Sequence, residues 1–434
     1  GDDIYKTLAS DGLKTNFVGY HMQSADSKVL CIIKNGASVE AVSVGESAEL
    51  IIEETPFYGE SGGQAGDSGV ISSKNFSVSV LATKKSAGLT VHICKVASGT
   101  VRVDDHVELV PDIEARVATA RNHTATHILH SALRRALGEH VRQAGSLVNA
   151  SGLRFDFNHF EALKPDEIRK IEDAANRAVV ADIEVITEVL PYKKAVEKGA
   201  LAFFGEKYGD VVRLVSVPTV SAELCGGTHV KRTGEIGLVK ITSESSVASG
   251  TRRLEAVTGL ASYELFLSYE GALKASAALL KSPEVQLPER IKKLIDERKE
   301  LEKEIHELKT KGKAGAGAGL VDKVKKINGI SVIAEKVEAT NAGELREMAD
   351  MLRAKLQSGV VVLGCKQDDK AVLLAAVTKD LTGRFSAGEI IKSIAPVVGG
   401  KGGGKPDLAQ AGGNDPSKIF DALLSAVKMV EAGK

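Results

Sequence analysis

Two stretches decide how this sequence is read: Arg121–His130, RNHTATHILH, and Glu223–His229, ELCGGTH. Residues four apart on a helix project from one face, one turn above the other, so the imidazoles of His123 and His127 can share an ion. At about 100° per residue, His123, His127, His130 and Arg134 form one stripe, with Ala125, Ile128, Leu129, Ala132, Leu133 and Ala136 opposite. The apolar side is expected to pack on its own domain and the histidine stripe to face another element. Cys225 and His229, with Gly226 and Gly227 between them, add a thiolate and an imidazole on a flexible turn. Three nitrogens and one sulfur suit zinc. Neither half is specific alone; together they make His123, His127, Cys225 and His229 the expected metal ligands. His130 lies nearly two turns from His123 and reads as a neighbour of the site or a satisfied surface histidine.

Around these stretches the pattern is α+β. Pro111 and Asp112 open a helix that carries the histidine stripe to Leu137 and ends at Gly138. Val141–Asn149 and Leu153–Phe157 alternate like strands, and Pro165–Val180 is an amphipathic helix opened by Pro165 and Asp166. A strand Ile183–Val189, a short helix Tyr192–Gly199 and a strand Val211–Val217 lead to the Cys225 turn. Gly237–Ser245 and Arg252–Thr258 then complete a sheet. The metal is thus expected to fasten helix to sheet.

Upstream, short alternating runs predict a small antiparallel barrel: Val29–Ile33, Ala48–Glu53, Gly69–Ser72, Phe76–Leu81, Thr90–Val96 and His106–Val110. The glycine-rich Thr55–Gly69 (TPFYGESGGQAGDSG) within it is either a set of tight turns or a loop that faces RNA or packs on another domain. Asp104, Asp105 and His106 read as a hairpin turn rather than a catalytic cluster. Ile4, Tyr5 and Leu8 read as the tail of a helix belonging to something upstream, so the chain is expected to start part-way into a longer protein. Downstream, Leu260–Lys281 and Pro288–Lys311 predict two helices. In the second, Ile291, Leu294, Arg298, Leu301, Ile305 and Leu308 take a and d positions. Fewer than three heptads favour a helical hairpin over a zipper. Lys311–Gly319 (KGKAGAGAG) reads as a flexible linker. Strands Gly329–Val337, Val360–Cys365 and Ala371–Thr378 alternate with helices Ala342–Gln357, Ala387–Val397 and Pro416–Ala432, which makes a C-terminal α/β domain.

Composition sets outer bounds. The 434 residues suffice for three or four domains. Lys+Arg and Asp+Glu are equal at 57 each, so any RNA contact must come from local basic patches. Cys31, Cys94, Cys225 and Cys365 are few and widely spaced, the usage of a reducing compartment rather than a disulfide scaffold. There is no run of 18 apolar residues and no signal or transit pattern, so a cytoplasmic protein without membrane contact is expected.

The pairing of HTATH with ELCGGTH, with QAGSLV and LRFDF between them, resembles the editing domain of alanyl-tRNA synthetases of bacterial type. TPFYGESGGQ resembles that family's barrel, and Gly399–Gly413 (GGKGGGKPDLAQAGG) resembles its terminal domain. The resemblance extends over nearly the whole chain and lacks the class II aminoacylation domain that the family carries first. It implies a multidomain α+β protein in five parts. These are the end of an upstream helical region (1–17), a small antiparallel β-barrel (18–111), a zinc-bearing α+β editing domain (112–259), a helical hairpin (260–312), and a C-terminal α/β domain (313–434) that binds tRNA and dimerises.

It further implies hydrolysis of Ser-tRNA(Ala) and Gly-tRNA(Ala), with one zinc at His123, His127, Cys225 and His229. ATP and magnesium are implied only for the aminoacylation domain. The physical need is clear, since one missing methyl in an apolar pocket is worth only about 1–3 kcal/mol and an added hydroxyl is poorly rejected. Four protein ligands would close a tetrahedral zinc, whereas a catalytic zinc keeps a position open. Gln143 matches a polar position of the family's pocket. Thr126, about 60° off the histidine stripe, can reach the same place. Arg252 and Arg253 are candidates for the 3′-end phosphates, and Glu223 for a base if strand alternation aims it at the metal. Lys401 and Lys405 in the glycine run suit RNA phosphates, although the spacing matches neither a Walker loop nor a dinucleotide fingerprint. The terminal domain type is shared with DHH-family phosphoesterases. Alternatives are a threonyl-tRNA synthetase-like editing domain, a freestanding trans-editing protein, and a zinc-stabilised RNA-binding scaffold without activity.

Overall fold

The structure, a computed structural model, describes residues 3–201 and 209–433. They divide into two compact units, 1–276 and 277–434.

The first unit begins with helix α1 (Asp3–Ser10). Six longer strands of a seven-stranded sheet follow: β1 (Ala25–Lys34), β2 (Ser47–Ile52), β3 (Gly69–Ser73), β4 (Phe76–Ser86), β5 (Leu89–Ser98) and β6 (His106–Pro111). They pair antiparallel in the order β6-β3-β4-β5-β2-β1, and β6 also pairs with β1, so the sheet closes into the expected barrel. Alternation separates its two faces. Ile32, Leu50 and Ile52 point into the barrel core with Phe57 and Ile71. Cys31, Ile33 and Ile51 point outward, where Tyr5 of α1 covers them. Asp104 takes φ 69°, and Asp105 accepts the Arg102 N–H, so this triplet is the expected turn.

Helix α2 (Ile113–Leu137) runs out of β6, with Asp112 accepting the Ala115 N–H at its N-terminus and Gly138 at its end. A four-stranded antiparallel sheet lies beneath it: β7 (Gln143–Asn149), β8 (Gly152–Asn158), β12 (Val239–Ala248) and β13 (Thr251–Thr258), in the order β7-β8-β13-β12. Ile128, Leu129 and Leu133 pack on Phe155, Phe157 and Leu254. Helix α3 (Pro165–Val180) closes the core with Ile171, Ala175, Ala178 and Val179, one face at helical spacing. The single sheet expected here is in fact two. Strands β9 (Ile186–Pro191), β10 (Val211–Val217) and β11 (Ser221–Leu224) form a separate three-stranded sheet, and β11 delivers the Cys225 turn. Helix α4 (Gly259–Leu280) follows β13.

In the second unit, helix α5 (Leu287–Val321) continues through Lys311–Gly319, which is therefore helix and not the expected linker. Its glycines lower helix propensity by about 1 kcal/mol each, but no proline interrupts the i→i−4 ladder. Ile291, Leu301, Ile305 and Leu308 of the heptad pattern are exposed.

The sheet contains β14 (Lys325–Ile327), β15 (Ile330–Lys336), β16 (Gly359–Gln367), β17 (Lys370–Val377), β18 (Gly400–Gly404) and β19 (Leu408–Gly413), ordered β14-β15-β16-β17-β19-β18. Only β15 and β16 pair in parallel. Val360 and Val362 face helices α7 (Ala387–Ile394) and α8 (Ile419–Glu431), while Val361, Leu363 and Cys365 face α6 (Ala342–Leu356). The sheet is buried on both sides, with helices on each face, as expected of the alternation of strands and helices in this part of the sequence. The glycine run Gly399–Gly413 is a β-hairpin and not a phosphate-cradling loop. A Cβ at Gly402 would lie 2.3 Å from that of Ala411. No helix among the described residues is long and apolar enough to cross a membrane.

Candidate metal centre

The four expected ligands converge. One donor atom from each of His123, His127, Cys225 and His229 lies within 4.8 Å of the other three. The thiol sulfur is 3.4 Å from His123 Nε2 and 3.3 Å from His229 Nε2. Ligands held 2.0–2.3 Å from a tetrahedral zinc are about 3.5 Å apart, so this donor set fits the ion in both chemistry and spacing. The histidine stripe of α2 is itself buried, with His123 and His127 only 5% exposed. The Cys225 turn and a barrel loop cover it.

Local contacts explain why the turn sits there. Arg213 of β10 donates to the carbonyls of Cys225 at 2.9 Å and Gly227 at 2.8 Å. Its guanidinium stacks 4.1 Å from the ring centre of Tyr20, whose hydroxyl donates to Gly226 O. Gly227 has to be glycine, because a Cβ there would stand 2.1 Å from His123 Cε1. On α2, the Thr124 hydroxyl donates to Ala120 O, so its oxygen accepts from His229 Nδ1 at 3.1 Å. That leaves His229 Nε2 as the lone-pair atom toward the cluster.

The electrostatics favour a thiolate. Burial opposes ionisation of Cys225, but the imidazoles of His123, His229 and His127 outweigh it and hold the thiol well below its ordinary range. Burial also works against protonation of His127. The Glu223 carboxylate and the Cys225 thiolate overcome that and push it up to about 9. His229, desolvated beside two imidazoles, falls to about 3.

Glu223, 2% exposed, places Oε1 3.0 Å from His130 Nδ1 and Oε2 3.9 Å from His127 Nε2. Burial disfavours its ionised form, and His127 and His130 more than compensate. Strand alternation therefore aims Glu223 at the cluster, and His130 is its partner rather than a fifth ligand.

The remaining candidates are more dispersed. Gln143 opens β7 beside a bulge and is half-buried. Thr126 is buried, with its hydroxyl donating back to Asn122 O. Arg252 grips Glu244 with two bonds of 2.5 and 2.6 Å, and Arg253 grips Asp156 likewise. Both guanidinium groups thus already have carboxylate partners. Lys401 lies on edge strand β18 and Lys405 just beyond it, both exposed in the second unit.

Sequence reading missed Gln64. It is fully buried, and its Oε1 lies 2.7 Å from His123 Nδ1 and accepts the Thr228 N–H at 2.8 Å. Its Nε2 donates to Thr228 Oγ1 at 2.9 Å. Arg213, Tyr20 and Thr124 were also unforeseen. Their roles depend on contacts spanning 105 to 206 residues for Thr124 and Tyr20, which no local pattern encodes.

Three family models match successive parts of the chain. The class II (A) tRNA synthetase model covers residues 2–115. The "Threonyl and Alanyl tRNA synthetase second additional domain" model covers 212–255, which includes Cys225 and His229, and the DHHA1 domain model covers 312–432. The alanine–tRNA ligase of Desulfosudis oleivorans is 46% identical over 433 residues, 99% of this chain. The chain is a homologue of alanine–tRNA ligases. It spans about half the length of that ligase, 49%. Among solved structures, the C-Ala domain of Aquifex aeolicus alanyl-tRNA synthetase is similar at 31% identity, with 25% of this chain and 96% of that one covered and a TM-score of 0.23. A DHH-domain member of the s1p family of ribosomal proteins is 19% identical, with 30% and 32% covered and a TM-score of 0.22. The first two models thus fall in the first compact unit and the DHHA1 domain model in the second, and residues 116–211 and 256–311 lie between the matched stretches.

Proposed function

We propose that this chain is the proofreading part of an alanine–tRNA ligase and hydrolyses seryl and glycyl esters on tRNA(Ala). The observation that carries this reading is the convergence of buried His123 and His127 with half-buried Cys225 and His229, beside the Glu223 carboxylate. When bound there, zinc supplies a Lewis acid and a template for the ester. The chain's own residues do the rest. Thr124 and Arg213 hold ligands and turn in place, so the cluster is assembled before substrate arrives. Glu223 takes the proton of the attacking water and His130 steadies its carboxylate. Because an aminoacyl ester is already activated, positioning supplies much of the rate.

We assign Gln143 to the seryl hydroxyl or the terminal adenosine, and Thr126 and Arg252 to further contacts with the substrate. A pocket built to hydrogen-bond a hydroxyl penalises an alanyl group by leaving its own polar atom unpaired. Lys401 and Lys405 contact tRNA phosphates, and the second unit supports a homodimer. The cytoplasm is the compartment for this work, and ATP with magnesium belongs to the aminoacylation half of the ligase.

Deacylation of Ser-tRNA(Ala) and Ala-tRNA(Ala), measured with and without a zinc chelator, tests the reading. Fast loss of serine, slow loss of alanine and abolition by chelator are expected. A protein that hydrolyses neither ester, yet melts at lower temperature after chelation, is a zinc-stabilised scaffold and the proposal fails. Cys225→Ala should lower zinc content, and Gln143→His should erase the preference for serine over alanine without unfolding the chain.

A further inference from the structure

The glycine-rich loop of the barrel enters the metal centre. Between Tyr58 and Asp67 the chain runs alongside α2 and is anchored at several points. The Ala65 N–H donates to Val148 O at 2.9 Å, and the Val148 N–H donates to Gly63 O at 2.8 Å, which fastens the loop to β7. Asp67 accepts from the Tyr58 N–H and from Arg116 of α2, and both Asp67 and Arg116 are buried. Two glycines let the strap lie flat: a Cβ at Gly66 would fall 1.7 Å from Thr83 O, and one at Gly63 2.6 Å from Ser146 O. Held in this way, Gln64 reaches His123.

The hydrogen bonds fix the state of that histidine. The Thr228 N–H can only donate, so the Gln64 atom facing it is the carbonyl oxygen. The same oxygen lies 2.7 Å from His123 Nδ1, which must therefore carry the proton. Nε2 is then left with its lone pair, pointing at the Cys225 sulfur. A metal-binding imidazole needs this arrangement, and an acceptor on the distal nitrogen also raises its basicity.

We infer that Gln64 is a positioning residue for the metal centre: from the barrel loop it locks the His123 tautomer and ring orientation and ties them to the Cys225–His229 turn. The inference rests on the zinc reading above. It makes the barrel part of the metal site rather than a neighbour of it.

The test compares wild-type chain with Gln64→Met, which keeps the length and removes both polar atoms, and with Gln64→Glu, which keeps the acceptor. Zinc affinity is read by competition with a chromogenic chelator, and melting of the metal-free proteins is followed in parallel. Gln64→Met should bind zinc about 10–100-fold more weakly. Gln64→Glu should stay within a few-fold of wild type, because a carboxylate accepts from both donors. Should Gln64→Met not fold, Gln64→Ala serves instead, with the same loss expected. Wild-type affinity in the Met or Ala variant overturns the inference. A fall only in metal-free melting temperature, with affinity intact, overturns it too, since that is the mark of a merely structural contact. Failure of the zinc reading is separately recognisable, because the wild-type chain itself would then leave all the metal with the chelator.

Discussion

Gly226 and Gly227 are neighbours with opposite tolerances. A Cβ at Gly226 meets nothing within 4 Å, whereas one at Gly227 collides with His123 and, at 2.7 Å, with Gln64 Oε1. Gly226→Ala should purify with full zinc, and Gly227→Ala should lose most of it by elemental analysis. Equal metal in both would refute the crowding argument. His92 makes a second case, one for pH. It is fully buried in the barrel, with Nδ1 donating to Leu50 O and Nε2 accepting from the Thr55 hydroxyl. Burial lowers its pKa from 6.5 to about 4. Below pH 6.5 the unfolded chain therefore binds a proton that the folded chain refuses, and stability falls with falling pH until about pH 4. By pH 5 the loss is about 2 kcal/mol. In urea unfolding at pH 7 and pH 5, His92→Gln should show a correspondingly smaller drop than wild type. At this scale the four-residue cluster was legible because His123 and His127 obey helical spacing. Gln64 was not, since a glutamine in a glycine-rich turn carries no periodicity.

Among the elements, α2 does the most. It caps on Asp112, buries one face on the four-stranded sheet and presents the other to the barrel loop and the Cys225 turn. Asp112→Ala should cost about 1 kcal/mol, read by chemical denaturation. Asp67→Ala should cost more, about 3–5 kcal/mol, because it strands the buried Arg116 guanidinium. If Asp67→Ala proved no worse than Asp112→Ala, the loop would not be anchored as described. Helix ends and barrel strands were readable from caps and alternation, and the structure mainly lengthens them. Two elements misled. Glycine is a poor strand former, so the hairpin Gly399–Gly413 looked like a loop, although its glycines serve the close approach of β18 to β19 and α7. The glycine–alanine stretch of α5 looked flexible for the same compositional reason. The two-sheet construction of the metal domain was hidden because strand pairing is non-local.

At the level of the molecule, the two compact units should respond differently to metal removal. His123, His127, Cys225, His229 and Gln64 all lie in the first. Ligand linkage acts only on the unit that binds, so chelation should move one calorimetric transition down and leave the other in place. Equal shifts in both would mean that the units unfold together. The class of each part was readable from patterning, since alternating strands made the barrel and strands interleaved with helices made the α/β second unit. The centre itself joins segments near residues 64, 125 and 227. During synthesis those segments leave the ribosome in succession, and at about 5–20 residues per second the last trails the first by roughly ten to thirty seconds. The nascent chain must therefore hold an open histidine pair and an unsatisfied glutamine until the thiol emerges, and if zinc seats among these side chains its uptake dates the end of that wait.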